Sequence, residues 1–420
     1  MFDLGEWDLL TLTDVRLINA AMIARQNELI TRFRHHSESF RIKGRFGPWQ
    51  ISPGGAMQTL LVAIPVTSGE LRVPGYRVPT RLDGITLRVR LALRLLAVDA
   101  GEETHELVFD FDELADDEGA VRAISFDDPE GHLEGIEATI FKLAVARCLS
   151  AQAGDVSFVF GSIRCRGSLQ DASLRLPYQS WANVVTGSGR HYLALGGAFH
   201  APRAPLQNID PEIFASPASA YVAMSREFLM TRVIFPSLDH SFKPPVPFRH
   251  SGAQASNMAP IDLGQFHHGS WTVRPVVQRL TIDQRAKDLH ARAVTMTELP
   301  MGARLESIVD LTMRFHFDPK SRALTYLPDP HPTEQHRVTG SGPFGGLVAF
   351  VATLILSANL DALKALVNAC ARTLQGSNLK VVNLTDWSGV RDFRVDKAVL
   401  NGALVMSDTR DFDRHAGPTV

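Results

Sequence analysis

The motif with the most specific chemical meaning in the sequence is Gly340-Ser-Gly-Pro-Phe-Gly345, which has the glycine spacing of a dinucleotide-binding fingerprint. Such a fingerprint places a pyrophosphate on the N-terminus of the next helix, and a carboxylate about twenty residues further on binds a ribose hydroxyl. Asp361 stands at that distance, but residues 331–338 lack the pattern of the buried parallel strand that must precede the motif. Pro343 is typical of a first helical turn. We therefore expect the glycines to serve helix entry and close packing, with no cofactor bound.

The histidines and cysteines are the next candidates for chemistry. Histidines occur in adjacent pairs at 35–36 and 267–268 and also at His331 and His336, without the spacing of a zinc site. Cys165 stands between two arginines, but the sequence assigns it no histidine partner, and it contains neither a nucleophile elbow nor a Walker loop. We expect surface histidines, no metal and no catalytic residues, and hence a protein that is not an enzyme.

A run of cationic and aromatic side chains between residues 32 and 49 could bind an anion. Arg41, Lys43 and Arg45 alternate with uncharged residues, and further arginines precede them. The aromatic residues Phe33, Phe40, Phe46 and Trp49 are interleaved with these cations, and we expect extended structure that breaks at Gly44. Because clustered cations suit anionic lipid, we predict head-group contact by Arg41, Lys43 and Arg45. An ordinary solvated face is the alternative.

Composition limits the class of protein that can carry these residues. The chain has 420 residues, with 43 Lys and Arg against 45 Asp and Glu. A net charge of -2 argues against a nucleic-acid-binding protein, and 45% apolar with 21% charged residues argues against disorder. The 3 cysteines do not make a disulfide framework. Because the first residues are acidic and lack the basic flank of a secretory signal, we expect a soluble cytoplasmic protein, or one released without a signal peptide.

Strands with one apolar face account for much of the sequence pattern. Every odd position between residues 85 and 95 is apolar, and residues 107–111 alternate in the same way. The two segments predict an antiparallel hairpin whose polar faces carry opposite charges. Residues 303–317 have apolar side chains at all but one of their odd positions, Ser307 being the exception. A strand of that length would span roughly 50 Å, whereas a usual strand has about five or six residues.

Three segments have a helical pattern. Thr13 or Asp14 can cap a first helix, whose apolar positions recur as far as Phe33. Residues 135–151 are apolar on nearly every side, and a third helical region covers residues 343–375, the first half of which carries no charge. About 14 apolar residues span only about 21 Å, which is too short to cross a membrane. A helix that is apolar all round must therefore be surrounded by protein.

These elements together predict the fold class. Long one-sided strands can curl around apolar helices and bury all of their sides, so we predict an elongated α+β protein with long twisted antiparallel sheets wrapped around long apolar helices. The best boundary is a proline-rich stretch at 201–217. We predict an N-terminal sheet-plus-helix module over 1–205 and a C-terminal sheet-plus-long-helix module over 206–420, either separate or interleaved in one body.

The predicted architecture leaves an apolar seam between strand and helix that would admit an acyl chain. The strand would contribute the odd-numbered residues of 303–317, and the helix would contribute the residues that face them. The predicted lipid-binding residues are Leu305, Val309, Leu311, Met313, Phe315, Leu347, Phe350 and Leu354. Each of these residues is equally explained as ordinary core.

Several landmarks recur in an order that belongs to a known family. They are Trp7-Asp8, Asn19, Ile51-Ser-Pro-Gly-Gly-Ala56, Trp181, Tyr192-Leu-Ala-Leu195, Ile234-Phe-Pro236 and Trp387-Ser-Gly-Val-Arg-Asp-Phe393. In this order they resemble the P-47 family, the forty-seven-kilodalton accessory proteins of OrfX-type botulinum neurotoxin gene clusters. The resemblance spans nearly the whole chain as scattered landmarks.

The resemblance implies both a fold and a function. The P-47 family is similar to tubular lipid-binding (TULIP) proteins, whose curved sheet surrounds a long helix, and it implies no catalytic residues. We therefore predict a non-enzymatic protein that binds lipid or another hydrophobic ligand as an accessory component of a bacterial toxin gene cluster. The expected partners are a lipid, a membrane surface and a protein of the same cluster, but no nucleic acid. The alternative is a protein-binding scaffold of the same fold without bound lipid.

Overall fold

A computed structural model gives the fold of most of the chain. The residues it describes are 1–54, 59–76, 78–98, 104–111, 121–164, 176–214, 216–238, 242, 245–268, 270–329, 331–340, 348–349, 351–354, 357, 385–390 and 393–410.

Strands predominate among the described residues. The strands of the N-terminal half are β1 (Leu9–Asp14), β2 (Arg32–His36), β3 (Arg41–Phe46), β4 (Gln50–Ser52), β5 (Thr59–Arg72), β6 (Thr80–Arg81), β7 (Thr86–Ala97), β8 (Thr104–Asp110), β9 (Val121–Asp127), β10 (Val159–Arg164), β11 (Tyr178–Val185) and β12 (His191–Ala198). Those of the C-terminal half are β13 (Ala220–Met224), β14 (Phe248–Ser251), β15 (Gln254–Asn257), β16 (Ile261–Asp262), β17 (Phe266–His268), β18 (Trp271–Val273), β19 (Pro275–Arg285), β20 (Asp288–Glu298), β21 (Arg304–Asp318), β22 (Ala323–Pro328), β23 (Thr333–Thr339), β24 (Thr385–Trp387), β25 (Lys397–Asn401) and β26 (Ala403–Asp408). The α-helices are α1 (Val15–Ala24), α2 (Gly135–Ala151) and α3 (Arg226–Phe228), the last continuing as a π-helical turn over Leu229–Ile234.

The chain divides into two compact units that interleave along the sequence. The N-terminal unit comprises Leu10–Tyr221, Asn383–Phe393 and Arg410–Val420, and the C-terminal unit comprises Met1–Leu9, Val222–Val382 and Arg394–Thr409. The division into independent modules at residue 205 stays a prediction.

One antiparallel sheet organises the N-terminal unit. Its strand order is β2-β3-β5-β7-β8-β10-β24, with β4 and β6 also paired to β5, and β9 to β7. The predicted hairpin is confirmed, since β7 and β8 pair in a register that joins Leu93 to Phe109 and Leu95 to Leu107. Its opposite charges meet as predicted, with an oxygen of Asp110 3.5 Å from a guanidinium nitrogen of Arg94.

Helix α1 begins as predicted but ends earlier. Asp14 caps it by accepting a hydrogen bond from the backbone N–H of Arg16. The helix ends at Ala24, and Phe33, which the periodicity placed on it, lies in β2. The apolar residues between them fall at helical spacing without being helical, which shows how spacing alone can extend a helix too far.

Helix α2 has the predicted bounds but not the predicted environment. Phe141, Val145 and Leu149 pack into the core of the sheet. On the opposite side, Ile136 is 60% exposed and Leu143 is 47% exposed. The expectation that this helix is enclosed on every side is therefore wrong, because its apolar circumference exceeds the surface that the sheet covers.

A second antiparallel sheet organises the C-terminal unit. Its order is β14-β15-β19-β20-β21-β22, with β16 also paired to β19, and β23 to β21. The long strand predicted at 303–317 is confirmed as β21, which pairs with β20 from Glu298↔Arg304 to Asp288↔Arg314. Strands β23 and β22 share the other edge of β21, β23 along its first half and β22 along its second.

The predicted helices of residues 343–375 fall largely outside the described residues. Residues 348–349 and 351–354 are helical. Strand β13 is followed by a helical stretch that begins at Arg226. Among the described helices, none is both long and apolar enough to span a membrane.

Candidate functional site

The hairpin of β2 and β3 carries the predicted head-group residues. Phe33, Ile42 and Phe46 are buried, each 3% exposed or less, and the intervening side chains point the other way. Because side chains alternate along a strand, the buried residues fix which face meets solvent. Arg41, Lys43 and Arg45 are all exposed on that second face.

The register of the hairpin sets cations against cations. Antiparallel pairing places Arg32 opposite Arg45, Arg34 opposite Lys43, and His36 opposite Arg41. Residues directly opposite each other share a face, and like charges in that position destabilise the pairing. We name the set Arg32, Arg34, His36, Arg41, Lys43 and Arg45 the cationic hairpin face.

A single carboxylate from the neighbouring strand moderates this face. Lys43 lies opposite Glu70 of β5, and its Nζ is 3.2 Å from Glu70 Oε1. Arg72 Nε also lies 3.2 Å from the same oxygen. The hydrogen bond from Lys43, then the charge of Arg72, hold the pKa of Glu70 below its ordinary value. Within the described part of the chain, none of the four arginines of the cationic hairpin face forms an ion pair.

Aromatic packing beneath the hairpin keeps its two strands in register. The rings of Phe33 and Phe46 stack with centroids 4.3 Å apart, and Trp49 meets Phe46 edge-on at 6.3 Å. Gly44 lies inside β3, so the predicted break there is wrong. A side chain at Gly44 would overlap the ring of Phe33 and the carbonyl oxygen of Ser68, which explains a glycine within a strand.

The strand side of the predicted lipid site lies on the inward face of β21. Leu305, Val309, Leu311 and Met313 are at most 1% exposed. Phe315 is only half-buried, and its ring lies 5.8 Å from that of Tyr326. The structure thus places four of the five predicted strand residues together, with the fifth at the end of the row.

The helix side of this site is only partly described. Leu305 and Val351 belong to one buried cluster with Val273, Leu299 and Ala303, and Val348 packs against it. Of the predicted helix residues, Leu354 is half-buried, whereas Leu347 and Phe350 lie outside the described residues. Leu305 of β21 and this helical segment therefore share one buried cluster, and a bound lipid stays a prediction.

The remaining chemical candidates do not assemble into a site among the described residues. No group of histidine, cysteine and acidic side chains there could hold a metal ion. Burial raises the pKa of the Cys148 thiol to about 12, which makes it a weak nucleophile, and Cys165 lies outside the described residues. Of the glycine motif only Gly340 is described; its positive φ of 119° and its closeness to Ala303 suit a structural role.

Several of the sequence landmarks have structural rather than chemical roles. Asn19 Nδ2 donates to the Ile51 carbonyl oxygen at 3.1 Å, and the Ile51 N–H donates to Asn19 Oδ1 at 2.7 Å. Trp181 Nε1 donates to the carbonyl oxygen of Leu93 at 3.1 Å. The ring of Trp387 occupies the space that a side chain at position 161 would need, which accounts for Gly161.

Comparisons with known proteins find the same family that the order of these landmarks resembles. A family model described as "OrfX-like: Protein OrfX2/OrfX3/P47" matches residues 6–155. The structure of P47 from Clostridium botulinum A2 superposes with a TM-score of 0.80 at 14% identity, covering 97% of this chain and 98% of that one. P47 of Clostridium botulinum E1 gives a TM-score of 0.79 at 15% identity, covering 97% and 100%. A comparison with curated proteins finds no match. The resemblance predicted from the sequence is confirmed by the family model over residues 6–155 and by the fold over 97% of the chain.

Proposed function

We propose, taking the OrfX-like match over residues 6–155 as the premise, that the protein is a non-enzymatic lipid-binding protein that contacts anionic membrane surfaces. It would act as an accessory component of a bacterial toxin gene cluster. The observation that carries the proposal is the cationic hairpin face, where three cross-strand pairs set cations or a histidine against cations. Repulsion between these like charges destabilises the pairing of β2 with β3. An anionic surface that binds the face supplies the opposite charge and so relieves the repulsion.

A lipid surface fits this face better than a nucleic acid does. The chain as a whole carries a net charge of -2, so the cationic hairpin face is a local cluster in a chain without a basic excess. Nucleic-acid proteins usually combine a basic stripe with a basic excess of the whole domain. An anionic membrane needs only a local cluster, since each Lys or Arg near its surface contributes about 1 kcal/mol.

The apolar ligand would occupy the C-terminal unit. Its chain would lie between the inward face of β21 and the helical segment that contains Val351, a residue that shares a buried cluster with Leu305. Such a seam between sheet and helix is the arrangement of the tubular lipid-binding type. Native mass spectrometry of gently purified protein should reveal co-purified lipid, and a protein mass without adducts would count against a bound ligand.

Vesicle sedimentation tests the membrane contact directly. The protein is mixed with phosphatidylcholine vesicles and with vesicles that also contain phosphatidylserine. We expect pelleting only with the anionic vesicles and loss of pelleting at high salt, because exposed charges are screened within roughly 10 Å at 0.1 M salt. Equal pelleting with both vesicle types, or none, would refute the proposal.

The scaffold alternative is favoured by a different surface. Ile136 and Leu143 lie two turns apart on one side of α2 and are exposed, with Ile140 between them. Apolar side chains in such a row suit a protein partner, here a product of the same gene cluster. If the scaffold alternative holds, replacing Ile136 and Leu143 with glutamine abolishes co-purification of that partner and leaves vesicle binding unchanged.

A further inference from the structure

A polar layer interrupts the apolar inward face of the C-terminal sheet. Ser307 of β21 lies opposite Thr295 of β20 on one side and opposite His336 of β23 on the other. The side chains of Thr295, Thr297 and Ser307 are fully buried. The layer thus crosses three strands at the one odd position of β21 that is not apolar.

Hydrogen bonds connect this layer to the surface. Ser307 Oγ is 2.9 Å from His336 Nδ1, and His336 Nε2 is 3.1 Å from Glu334 Oε2. A carboxylate only accepts, so His336 donates to Glu334 from Nε2, while its Nδ1 faces the Ser307 hydroxyl, which can both donate and accept. The side chains of His336 and Glu334 are 25% and 28% exposed. The layer therefore runs from buried hydroxyls to solvent.

Two groups of the layer still have hydrogen-bonding capacity. Thr297 Oγ1 is buried and has no hydrogen-bond partner among the described residues. The Ser307 hydroxyl has one donor and two acceptor lone pairs, so its one hydrogen bond with His336 leaves further hydrogen-bonding capacity. A buried hydroxyl without a partner is costly and in native proteins usually has an explanation, such as a ligand that supplies the partner.

Apolar residues lie directly beside these groups. Thr297 lies opposite Leu305, which belongs to the cluster containing Val351 and touched by Val348. The proposed acyl chain would lie along this cluster. We propose that the polar layer binds the uncharged, hydroxyl-bearing end of an acyl ligand, a monoacylglycerol rather than a fatty acid. The inference rests on the proposed function and specifies the chemistry of its ligand.

The charge of the layer decides between these two ligand classes. Glu334 is the acidic member of the layer, and its carboxylate oxygen Oε2 lies 3.1 Å from His336 Nε2. A fatty-acid carboxylate would meet a like charge and two hydroxyl groups, whereas a glycerol end offers hydroxyls that both donate and accept. Thr297 of β20 and Ser307 of β21 are diagonal neighbours on the same face of the sheet. Such neighbours lie about 7–8 Å apart, and a glycerol group with two hydroxyls can bridge that distance.

The test uses two probes with the same chain, 1-oleoylglycerol and oleic acid, and native mass spectrometry of the full-length protein. The wild type should retain 1-oleoylglycerol in preference to oleic acid. Thr297→Val keeps the shape but removes the hydroxyl, and it should weaken 1-oleoylglycerol retention about three- to tenfold, the effect of one hydrogen bond, with oleic acid unchanged. Ser307→Ala should act in the same direction.

A control and a stability measurement separate ligand binding from folding. Thr281→Val makes the same change on the opposite face of β19 and should leave retention of both probes unchanged. Thr297→Val should not lower the thermal midpoint, because the hydroxyl it removes has no partner. If Thr297→Val binds both probes like the wild type, or the wild type prefers oleic acid, the inference is wrong while the proposed function stands. If the wild type binds neither probe, the apolar-ligand proposal fails together with it.

Discussion

At the scale of the single residue, Glu70 reduces the positive charge of the cationic hairpin face. It contacts both Lys43 and Arg72, and these contacts hold its pKa below the ordinary value. The carboxylate therefore stays charged in mildly acidic solution and keeps two cations partly neutralised. Because Glu70 partly neutralises Lys43 and Arg72, it should weaken the affinity of the wild type for an anionic membrane.

Replacing Glu70 with glutamine should increase binding to phosphatidylserine vesicles. The change removes one negative charge from a face that we expect to bind an anion, which is worth roughly fivefold at low salt. Because the pKa of Glu70 is lowered, the difference from wild type should persist between pH 7 and pH 5. Vesicle titrations at both pH values measure it, and weaker binding by the variant would contradict the assigned face.

His191 should make the N-terminal unit sensitive to acid. Its Nε2 contacts Asn183 Oδ1, and burial lowers its pKa, partly offset by the charge of Asp14. The unfolded chain therefore binds the proton first, so stability is retained above about pH 6.5 and falls as the pH drops below it. Urea unfolding at pH 7.5 and pH 5.5 should show a smaller loss for His191→Gln than for wild type. The exposed His331→Gln variant is the control, and an identical loss in all three proteins would refute the assignment.

At the scale of the element, the sequence pattern predicted the bounds of long periodic helices and strands. It did not predict which neighbouring elements cover them. The alternation over 303–317 predicted β21 within one residue, and α2 has the predicted bounds. The exposed side of α2 and the unbroken strand at Gly44 depend on neighbours that local spacing does not specify. The cationic residues of the hairpin were predictable because they are contiguous in sequence. Glu70 was not, since only the pairing of β3 with β5 brings it there.

The side chain of Asn19 connects two elements of the N-terminal unit. Its amide forms two hydrogen bonds with the backbone of Ile51 and so ties α1 to β4. Asn19→Ala leaves a buried N–H and C=O without partners and should lower the free energy of unfolding by about 1–3 kcal/mol. Urea denaturation measures the loss. Asn208→Ala, at an exposed position, should change stability by less than about 0.5 kcal/mol, and equal effects would show that the pairing is not important.

At the scale of the whole molecule, a fold similar to that of P47 carries a local cluster of positive charge. The superposition covers 97% of the chain at 14% identity, so the similarity to P47 is one of fold. Fold alone does not specify function, which must be argued from sites. Here the sites are the cationic hairpin face in the N-terminal unit and the polar layer in the C-terminal unit.

The central claim is that membrane contact depends on where the cations lie and not on how many there are. A hairpin triple variant, Arg34→Gln, Arg41→Gln and Arg45→Gln, removes three exposed charges from the hairpin face. These arginines, unlike Lys43, have no carboxylate neighbour among the described ion pairs, so the fold should be unaffected.

A matched triple variant removes the same charge elsewhere. Arg226→Gln, Arg249→Gln and Arg279→Gln change exposed positions that belong to the C-terminal unit, whereas the hairpin belongs to the N-terminal unit. Both triple variants lower the net charge from -2 by three units, to -5, so any difference between them reports position alone.

The decisive measurement is the partition coefficient of wild type and both triple variants onto phosphatidylserine-containing vesicles at low salt. At about 1 kcal/mol for each cation, the hairpin triple variant should bind roughly 100-fold more weakly than wild type. The matched variant should differ from wild type by less than about fivefold, reflecting only its net charge. Equal losses in the two variants, or full binding by the hairpin variant, would contradict the account.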